Sequence, residues 1–501
     1  MLSRRSLLRA GGGVALAATV TGTASPALAG LTQDTKLFGK SVSGKVVLPG
    51  SAEYDVAKQL HYAQFDSINP QAIVYAEDAA DVRTAVLAAQ DLGIPLRVRS
   101  GGHNFEGWST GTGIVLDVSR IKQVSVSGDT VHLGPGAQSI DALTVLSSQG
   151  VQIVAGTCPT VCPGGFLSGG GLGMQTRKFG IGSDRLVSAR IVLADGRIVT
   201  TSATQEPDLF WALRGGGGGN FGVVVDFEVR RIDAPRATYY ETAWAWDDAQ
   251  DLLGAWTAWT RGASHNLGGG LVLVLPDGAP APLVFAYGLY HGPKSELDAS
   301  LDALVTAAGV QPLSRVSEDL SFVDAMKRIY ACDKLSFEGC HREGTIPGAA
   351  LHRGTFQRDT YRFASSFSTA SLADIGTAFA ADRYPGQSRV VQFSAVGGVA
   401  NQPRRSDTAF VHRNANHIVG FVSSYASPTP TEAEKSAATT WTRRGAAALA
   451  PASVGAYVNF PGYELPDWRT AYYGENYARL VSVKQRYDRN NFFRHPRSIG
   501  S

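Results

Sequence analysis

The chain has 501 residues, which is too long for one ordinary hydrophobic core, so its length predicts two or three domains. Hydrophobic residues make up 44% and charged residues 18% of the sequence, as in ordinary globular enzymes, and 46 basic residues nearly balance 43 acidic ones. This charge argues against a nucleic-acid or anionic-membrane partner. The 57 glycines are clustered, which is typical of backbone that closely approaches a bulky ligand.

The first segment of the chain has the pattern of a targeting signal. Residues 3–8 include the arginine pair of a twin-arginine signal, residues 14–20 are apolar, and residues 27–29 form a small-residue cleavage site. The apolar stretch is far below the ~20 residues that cross a bilayer. We therefore expect residues 1–29 to be a signal peptide, and the mature protein to be secreted by the twin-arginine route without a membrane partner. This route carries folded proteins and so favours an enzyme that acquires a cofactor before export.

The next part of the chain, from about residue 70 to 201, alternates short apolar strands with amphipathic helices. A helical run opens at Asp81 and is ended by Gly93 and Pro95, after which residues 96–98 form a strand. The Asp-Gly pair at the centre of residues 191–199 predicts a hairpin. A further strand is predicted over residues 223–229, directly after a glycine run.

The residue composition and pattern of the sequence change near residues 230–235. Residues 236–454 have fewer glycine clusters, more aromatic and β-branched strands, and alanine-rich helical stretches. The last fifty residues are again dense in polar and aromatic residues, as the first half of the chain is. The boundaries predicted from this pattern are 30–232 for a first domain, 233–454 for a second, and 455–501 for a tail that returns to the first.

The glycine clusters do not form a standard phosphate-binding motif. No P-loop sequence is present. Gly217, Gly219 and Gly222 match the spacing of a Rossmann fingerprint, but the residues after them read as a strand, whereas that fingerprint must open a helix. We therefore reject a Rossmann site.

Two other glycine loops remain, over residues 99–103 and 164–173, each expected to follow a strand. Successive glycines let backbone N–H groups turn inward toward an anion without side-chain clash. The two loops could together hold the pyrophosphate of a dinucleotide. Composition alone leaves open the alternative that they are tight turns.

Several segments together resemble one enzyme family. Residues 98–107 resemble the segment through which berberine bridge enzyme-like oxidases attach FAD to a histidine, and residues 156–161 resemble their cysteine segment. The resemblance continues, in the family's order, through residues 208–222, 457–459 and 472–480. It implies an α+β fold, with a two-lobed PCMH-type FAD-binding domain and a substrate domain whose antiparallel sheet is backed by helices. The active site would lie in the cleft between them.

The resemblance implies that FAD is attached covalently at both His103 and Cys158. A hydrogen-bonding histidine and a small buried cysteine are the ordinary alternatives. The further cofactor-binding residues that it implies are Arg99, Ser100, Gly101, Gly102, Asn104, Gly107, Gly156, Thr157, Val161, Gly164, Gly165, Ser168, Gly169, Gly170, Gly173, Gly222, Val224, Tyr473 and Asn476.

The sequence departs from the family pattern at two positions near the second attachment segment. Cys162 stands where the family usually has glycine, and Phe166 where it often has a histidine that bonds near the ribityl chain of the flavin. Cys162 is a competing attachment thiol, although its flanks match less well than those of Cys158. The loss of the histidine leaves the redox tuning of the flavin open.

The other two cysteines, Cys332 and Cys340, lie eight residues apart. In an exported protein this spacing predicts a local disulfide. A tetrahedral metal site would need more ligands than the neighbouring His341 supplies, so no metal is expected.

Tyr457 is the best candidate for the catalytic base that takes the proton of a substrate hydroxyl. The glutamate that alkaloid-cyclising family members carry is missing near residues 420–421. A tyrosine of pKa ~10 needs help near neutrality, which a polarised flavin edge or a cationic neighbour would give. A packed aromatic residue is the alternative role. Asn459 would orient the site and Gln392 would bond substrate, while Phe460 replaces a common second tyrosine.

Small residues beside the attachment cysteine, Gly156 and Val161, are associated in this family with access of dioxygen. The resemblance therefore implies an oxidase that removes hydride from an alcohol carbon of a sugar or a glycosylated secondary metabolite, with O2 reduced to H2O2. An oxidative cyclase or dehydrogenase acting on a natural product is the enzymatic alternative. A flavin-retaining binding protein is the non-enzymatic one. The oligomeric state is not predictable from the sequence.

Overall fold

The computed structural model describes residues 34–37 and 40–501, so the predicted signal peptide lies outside the described residues. The first sheet has five strands in the order β1-β2-β3-β5-β4, in which β3, β5 and β4 run parallel and the other pairs antiparallel. Its strands are β1 (Asp34–Leu37), β2 (Lys40–Val47), β3 (Ala72–Tyr75), β4 (Leu96–Arg99) and β5 (Ile114–Asp117).

Two helices belong to this lobe, α1 (Tyr54–Ala57) and α2 (Ala79–Asp91), together with a 3-10 turn over Ala63–Phe65. Helix α2 begins two residues before the predicted Asp81, because Asp78 caps it by accepting hydrogen bonds from two backbone N–H groups of the first turn. The buried Asp81 side chain instead accepts from the N–H of Ser43 at 2.7 Å, which ties the helix to β2.

The second sheet is antiparallel, in the order β10-β9-β11-β7-β6. Its strands are β6 (Val124–Ser127), β7 (Thr130–Leu133), β9 (Leu186–Val192), β10 (Ile198–Ser202) and β11 (Val223–Arg230), while β8 (Val151–Gln152) pairs with β12 (Ile232–Asp233). The predicted hairpin and the predicted strand after the glycine run are both confirmed. The helices here are α3 (Ser139–Ser147), α4 (Pro163–Ser168), α5 (Thr176–Phe179) and α6 (Pro207–Leu213), with a 3-10 turn over Gly182–Arg185.

An eight-stranded antiparallel sheet, here called the large sheet, forms the second domain, in the order β16-β13-β15-β14-β18-β19-β17-β20. Its strands are β13 (Arg236–Trp244), β14 (Leu267–Leu275), β15 (Leu283–Tyr290), β16 (Ser314–Ser321), β17 (Phe356–Ala364), β18 (Ser388–Ala395), β19 (His417–Tyr425) and β20 (Ser453–Gly455). The helices are α7 (Ala249–Gly262), α8 (Lys294–Ala308), α9 (Phe322–Ile329), α10 (Thr369–Ala380) and α11 (Glu432–Leu449). 3-10 turns lie at Trp246–Asp248, Glu338–Cys340, Gly398–Asn401 and Ala450–Ala452.

The two faces of the large sheet have different partners. On one face α7, α8, α10 and α11 close a core that includes Trp244, Trp256 and Phe421. On the other face Tyr239 and Val272 pack with α3 and α9. An antiparallel sheet backed by helices gives the α+β arrangement that the family resemblance implied.

The end of the chain packs against the first domain. It contains α12 (Trp468–Tyr473), a 3-10 turn over Gly474–Asn476, and α13 (Tyr477–Tyr487). The buried Nζ of Lys484 donates to the carbonyl oxygens of Asn220 and Phe493, each at 2.5 Å. The backbone N–H of Ile499 donates to the side chain of Asn220 at 2.9 Å. These bonds join the tail to the glycine run before β11. Within residues 34–37 and 40–501, no helix is long and apolar enough to cross a membrane.

Candidate active site

A cavity of about 410 Å³ lies between the first domain and the large sheet of the second domain. One side, here called the backbone wall, is made by residues 100–102, 156, 164–165 and 217–219. The opposite side, here called the side-chain wall, is made by Tyr361, Gln392, Ser394 and Ile418 of the large sheet. The volume lies in the range of small-molecule sites.

His103 lies on the loop after β4 and lines the cavity. Its Nε2 is 2.8 Å from Oγ1 of Thr160, and its ring stacks on that of His61 with 4.1 Å between ring centroids. Burial holds the pKa of His103 well below its usual value, assisted by the nearby His61 and Arg342, so the imidazole is neutral. Among the described residues a hydrogen bond is found at Nε2 and none is assigned to Nδ1, while the backbone of Thr160 also lies within hydrogen-bonding reach of the ring. A neutral ring with one unengaged nitrogen is suited to nucleophilic attachment.

The two free cysteines have different surroundings. Cys158 is partly buried, and its Sγ is 3.6 Å from Oγ1 of Thr160; burial raises the pKa of this thiol, and hydrogen bonding to Thr160 lowers it. Cys162 is fully buried and donates to the carbonyl oxygen of Gly136 at 3.4 Å. Burial raises the pKa of Cys162 far above that of an ordinary thiol. The surroundings favour Cys158 over Cys162 as the reactive thiol.

Part of the second predicted glycine loop is helical, which corrects the sequence prediction. Residues 164–168 belong to α4, and residues 153–162 separate this helix from β8, so the loop does not directly follow a strand. The cause is Pro163, whose fixed φ suits the first helical position after the extended Cys162. The glycines of this segment therefore present helical backbone to the cavity.

The packing of the backbone wall explains why it needs glycine. A Cβ on Gly101 would lie 3.0 Å from Sγ of Cys162, and one on Gly164 would lie 2.8 Å from Oγ of Ser100. A Cβ on Gly165 would meet nothing within 4 Å. The first two glycines pack directly on neighbouring segments, and the third leaves space open beside them. Together with the neutral His103 and the free Cys158, this cradle of backbone fits a large flat dinucleotide such as FAD.

Tyr457 is buried at the cavity, and its hydroxyl oxygen accepts two hydrogen bonds. The backbone N–H of Gly171 donates at 2.8 Å and Nδ2 of Asn459 donates at 3.0 Å. Burial raises the pKa of Tyr457, while the donors Gly171, Asn459 and Leu172 lower it. All three donors are neutral groups, so no cationic side chain is among the groups that lower the pKa of Tyr457. Asn459 also donates to the carbonyl oxygen of Phe166 at 3.0 Å, which fixes its orientation.

Aromatic rings cluster next to Tyr457. Phe105 stacks on Phe460 with centroids 5.3 Å apart, and Tyr361 lies 4.8 Å from Phe460. A Cβ on Gly420 would lie 2.0 Å from Cε1 of Tyr361, so the Tyr361 ring occupies the space above β19, where no glutamate is present. The rings form a flat apolar surface, and the buried carboxyl of Asp359, two residues before Tyr361 on β17, lies close enough to raise the pKa of Tyr361 further, after the larger effect of burial.

Gln392 projects from β18 into the cavity. Its Nε2 donates to Oη of Tyr287 at 3.3 Å and to Oγ of Ser394 at 3.4 Å. These contacts are long, so the amide has hydrogen-bonding capacity left for a ligand.

Most of the predicted site residues come together around this cavity. Those that line it are Ser100, Gly101, Gly102, His103, Asn104, Gly156, Thr157, Cys158, Val161, Gly164, Gly165, Ser168, Gly173, Gly222, Val224, Gln392, Tyr457 and Asn459.

The remaining predicted cofactor contacts do not line this cavity and have partners within the protein. Arg99 pairs with the buried Asp117 and donates to a backbone oxygen of α1. Tyr473 donates to the carbonyl oxygen of Gly216 at 3.0 Å, and Asn476 donates to that of Arg405 at 2.8 Å. Gly107, Gly169 and Gly170 pack against Phe65, Asn459 and Phe410, respectively. These residues hold the wall from behind.

Some residues of the site were missed by the sequence reasoning. His61, Tyr62 and Tyr361 come from segments that carried no recognised motif. Thr160 lay inside the cysteine segment but was not singled out. Residues 217–219 belong to the segment 208–222 that carries the resemblance, but they are not among the predicted cofactor-binding residues.

The predicted disulfide between Cys332 and Cys340 is confirmed. Among residues 34–37 and 40–501, no group of three or more histidine, cysteine, aspartate or glutamate side chains is placed to hold a metal ion.

Comparisons with known proteins agree with this geometry. Residues 70–202 match the FAD binding domain family, and residues 456–500 match the berberine and berberine-like family. An uncharacterised FAD-linked oxidoreductase, YgaK, of Bacillus subtilis (strain 168) is 28% identical over 91% of this chain and 97% of its own length. The chitooligosaccharide oxidase of Gibberella zeae is 28% identical over 86% and 87%.

A solved structure has the same fold. Glucooligosaccharide oxidase from Acremonium strictum superimposes with a TM-score of 0.81 at 23% identity, covering 91% of this chain and 97% of its own. That protein is described with a 6-S-cysteinyl, 8α-N1-histidyl FAD. The likeness establishes a PCMH-type FAD-binding fold with its antiparallel sheet for this chain.

Proposed function

We propose that this chain is a berberine bridge enzyme-like FAD-linked oxidoreductase that oxidises an alcohol carbon of a sugar or a glycosylated secondary metabolite. The matches of residues 70–202 and 456–500 to the two families support this proposal. Bound FAD would supply the hydride acceptor, and dioxygen would take the electrons as hydrogen peroxide. The observation that carries the proposal is Tyr457, whose oxygen receives two hydrogen bonds at the cavity.

The residues of the backbone wall would hold FAD, with His103 and Cys158 as its two covalent attachment points. Support comes from the unengaged Nδ1 of His103 and from the free thiol of Cys158. The Acremonium strictum oxidase, which shares the fold, carries an FAD linked to both a cysteine and a histidine. Trp108 and His495, stacked with 4.8 Å between centroids, line the part of the cavity near Arg97.

Tyr457 would take the proton of the substrate hydroxyl. Its oxygen already receives N–H groups from Gly171 and Asn459, and these donors stabilise negative charge on the phenolate. Burial opposes that charge and raises the pKa of the phenol. Tyr457 must be deprotonated to accept the proton, so the proposed activity rises as pH approaches the pKa of this phenol.

The side-chain wall would bind the substrate. Gln392 and Ser394 offer hydrogen bonds to hydroxyl groups, while Phe105, Tyr361 and Phe460 offer flat apolar surface. A sugar ring has both kinds of surface, and so does a glycosylated aromatic compound. The small Gly156 and Val161, which line the cavity near Cys158, favour dioxygen as the electron acceptor.

Anaerobic mixing tests this proposal. The purified yellow protein is mixed with a panel of oligosaccharides and glycosylated aromatic alcohols, and the flavin absorbance is followed. We expect one class to bleach the colour within the mixing experiment and to yield one hydrogen peroxide per turnover once air is admitted. A colour that no alcohol bleaches would support the flavin-retaining binding protein instead. Products with a new ring would identify an oxidative cyclase.

We also propose export by the twin-arginine route. The Cys332–Cys340 disulfide supports an oxidising destination for the mature chain. Cell fractionation of the full chain, with Arg4 and Arg5 both replaced by lysine as the control, tests the route. Unchanged extracytoplasmic protein in that control would contradict it.

A further inference from the structure

One threonine hydroxyl lies between the two predicted attachment groups. Oγ1 of Thr160 is 2.8 Å from Nε2 of His103 and 3.6 Å from Sγ of Cys158. Thr160 is 8% exposed, so water does not easily replace it. A hydroxyl group carries one proton and two lone pairs, and it can therefore accept from one neighbour while it donates to another.

We propose that Thr160 is a positioning residue that prepares both attachment groups with its single hydroxyl. It accepts a hydrogen bond from Nε2–H of His103 and donates its own proton to Sγ of Cys158. This inference rests on the proposed bicovalent attachment of FAD and adds a residue that the attachment itself does not identify.

The first consequence concerns the histidine. A neutral imidazole has one protonated nitrogen, and a hydrogen bond from Nε2–H to Thr160 places the lone pair on Nδ1. The stacked ring of His61 restrains rotation that would exchange the two nitrogens. Nδ1, to which no hydrogen bond is assigned among the described residues, is then the nucleophile.

The second consequence concerns the cysteine. The thiolate is the reactive form of cysteine, and burial disfavours it at Cys158. Two hydrogen bonds from Thr160 offset part of this effect: the larger comes from its backbone N–H, and the smaller comes from its hydroxyl, the one of the two that Thr160→Val removes. At Cys162 burial raises the pKa even further, although Ser100 offers a similar hydroxyl. The Cys162 thiol donates to the carbonyl oxygens of Gly136 and Thr160. Deeper burial therefore disfavours Cys162 as the reactive thiol, and the Thr160 hydroxyl acts on Cys158.

The overall chemistry balances with dioxygen as the oxidant. Each link replaces one C–H bond of FAD and one N–H or S–H bond of the chain with a C–N or C–S bond. The two hydrogens and two electrons released for each link leave as hydrogen peroxide. Once His103 is linked through Nδ1, Nε2 has no proton and can accept a hydrogen bond from Thr160.

Two substitutions at one position test the inference. Thr160→Val keeps the shape and removes the hydroxyl, and Thr160→Ser keeps the hydroxyl. Thr242→Val is the matched control, because Thr242 is buried in β13 and its hydroxyl has no partner in the described structure. Each full-length protein is denatured, weighed intact and digested, and FAD is mapped on the peptides that contain His103 and Cys158.

In Thr160→Val we expect the Cys158 link to form about tenfold more slowly near neutral pH, because a tenfold lower thiolate fraction corresponds to one unit of pKa. Incubation of this variant with FAD in air at about pH 9 should restore the link, since the thiolate fraction of a thiol below its pKa rises about tenfold for each unit of pH. Thr160→Ser and Thr242→Val should resemble the wild type. A packing role for Thr160 would not respond to pH.

The outcomes separate the two proposals. Equal bicovalent FAD in Thr160→Val and the wild type would overturn the role of Thr160 and leave the proposed function intact. Equal loss in Thr160→Val and Thr160→Ser would overturn it as well, because the hydroxyl would not be the cause. Absence of covalent FAD from the wild type would overturn the bicovalent attachment itself.

Discussion

The two walls of the cavity differ in composition: glycine backbone forms one, and side chains of the large sheet form the other. The backbone wall consists largely of glycines, some of which have no room for a side chain, as Gly101 and Gly164 show. The side-chain wall consists of Tyr361, Gln392, Ser394 and Ile418 on strands of the large sheet. Backbone that is packed from behind suits one invariant group, here FAD. Side chains on strands can change without altering the sheet, so substrate choice belongs to the second wall.

Tyr457 lies where the walls meet, and its loss should give the largest effect. Tyr457→Phe removes the proposed base but keeps the ring that packs 5.0 Å from Phe460. We expect the rate of flavin bleaching under anaerobic conditions to fall by about 10²–10⁴-fold, the usual contribution of a general base. Tyr361→Phe is the control and should change the rate far less. Equal effects of the two changes would remove Tyr457 from the chemistry.

Asp359 lies on β17, two residues before Tyr361 of the side-chain wall, and gives a pH-dependent test of that region. Burial raises the pKa of its carboxyl to about 7. Between the unfolded value near 4 and this folded value, the native state holds a proton that the unfolded state has lost, so stability falls as pH rises through that window. The wild type should lose up to about 4 kcal/mol of its free energy of unfolding across this window, and Asp359→Asn should not show this loss.

Urea unfolding at about pH 5 and about pH 8 measures the effect, with the exposed Asp374→Asn on α10 as the control. The Asp359 variant should gain more stability relative to the wild type at about pH 8 than at about pH 5, where only part of the window has been crossed. A difference that is the same at both pH values would contradict a raised pKa at Asp359.

Two glycines sharpen the description of the backbone wall. A Cβ on Gly173 would lie 2.0 Å from the carbonyl oxygen of Ala155, whereas one on Gly165 would meet no protein atom within 4 Å. Gly173→Ala should lower the free energy of unfolding by about 1–3 kcal/mol, as overpacking does. Gly165→Ala should leave it unchanged or raise it slightly, because alanine favours helix.

Measurement of FAD content in the same two variants completes the test. The Gly165 methyl group would enter the space left for the cofactor, so this stable variant should hold less FAD. Full FAD content in a stable Gly165→Ala protein would show that the cofactor does not approach this part of the wall.

The smallest effect is expected at Gln392. Its contacts to Tyr287 and Ser394 are long, so Gln392→Leu should keep the fold. Loss of one hydrogen bond to substrate should raise KM by about 3- to 10-fold and leave kcat nearly unchanged. Steady-state kinetics with the best substrate tests this expectation. An unchanged KM would place the substrate elsewhere on the side-chain wall.

The comparison of the walls also shows what the sequence could predict. The backbone wall was largely predictable, because its glycines, His103 and Cys158 lie in short continuous motifs. Hairpin and strand predictions succeeded for the same reason, since they depend on local pattern. The helix at residues 164–168 was missed because glycines indicate a loop unless a residue such as Pro163 starts a helix.

The rest of the site depends on contacts between distant segments. His61 stacks on His103, and Tyr361 covers Gly420, and neither pair is close in sequence. Tyr473 and Asn476 belong to a matching segment, but the backbone partners of their side chains, the carbonyl oxygens of Gly216 and Arg405, lie far away in sequence and could not be predicted. The neutral donors to Tyr457 were hidden for the same reason.

The most direct test of the central claim is the position of FAD on the purified wild-type chain. The protein is denatured, weighed intact and digested, and the flavin-bearing peptides are sequenced by mass spectrometry. Our account predicts a protein heavier by one FAD, with peptides containing His103 and Cys158 joined through the flavin. A colourless protein of polypeptide mass after expression with adequate flavin, or FAD linked through Cys162, would contradict it.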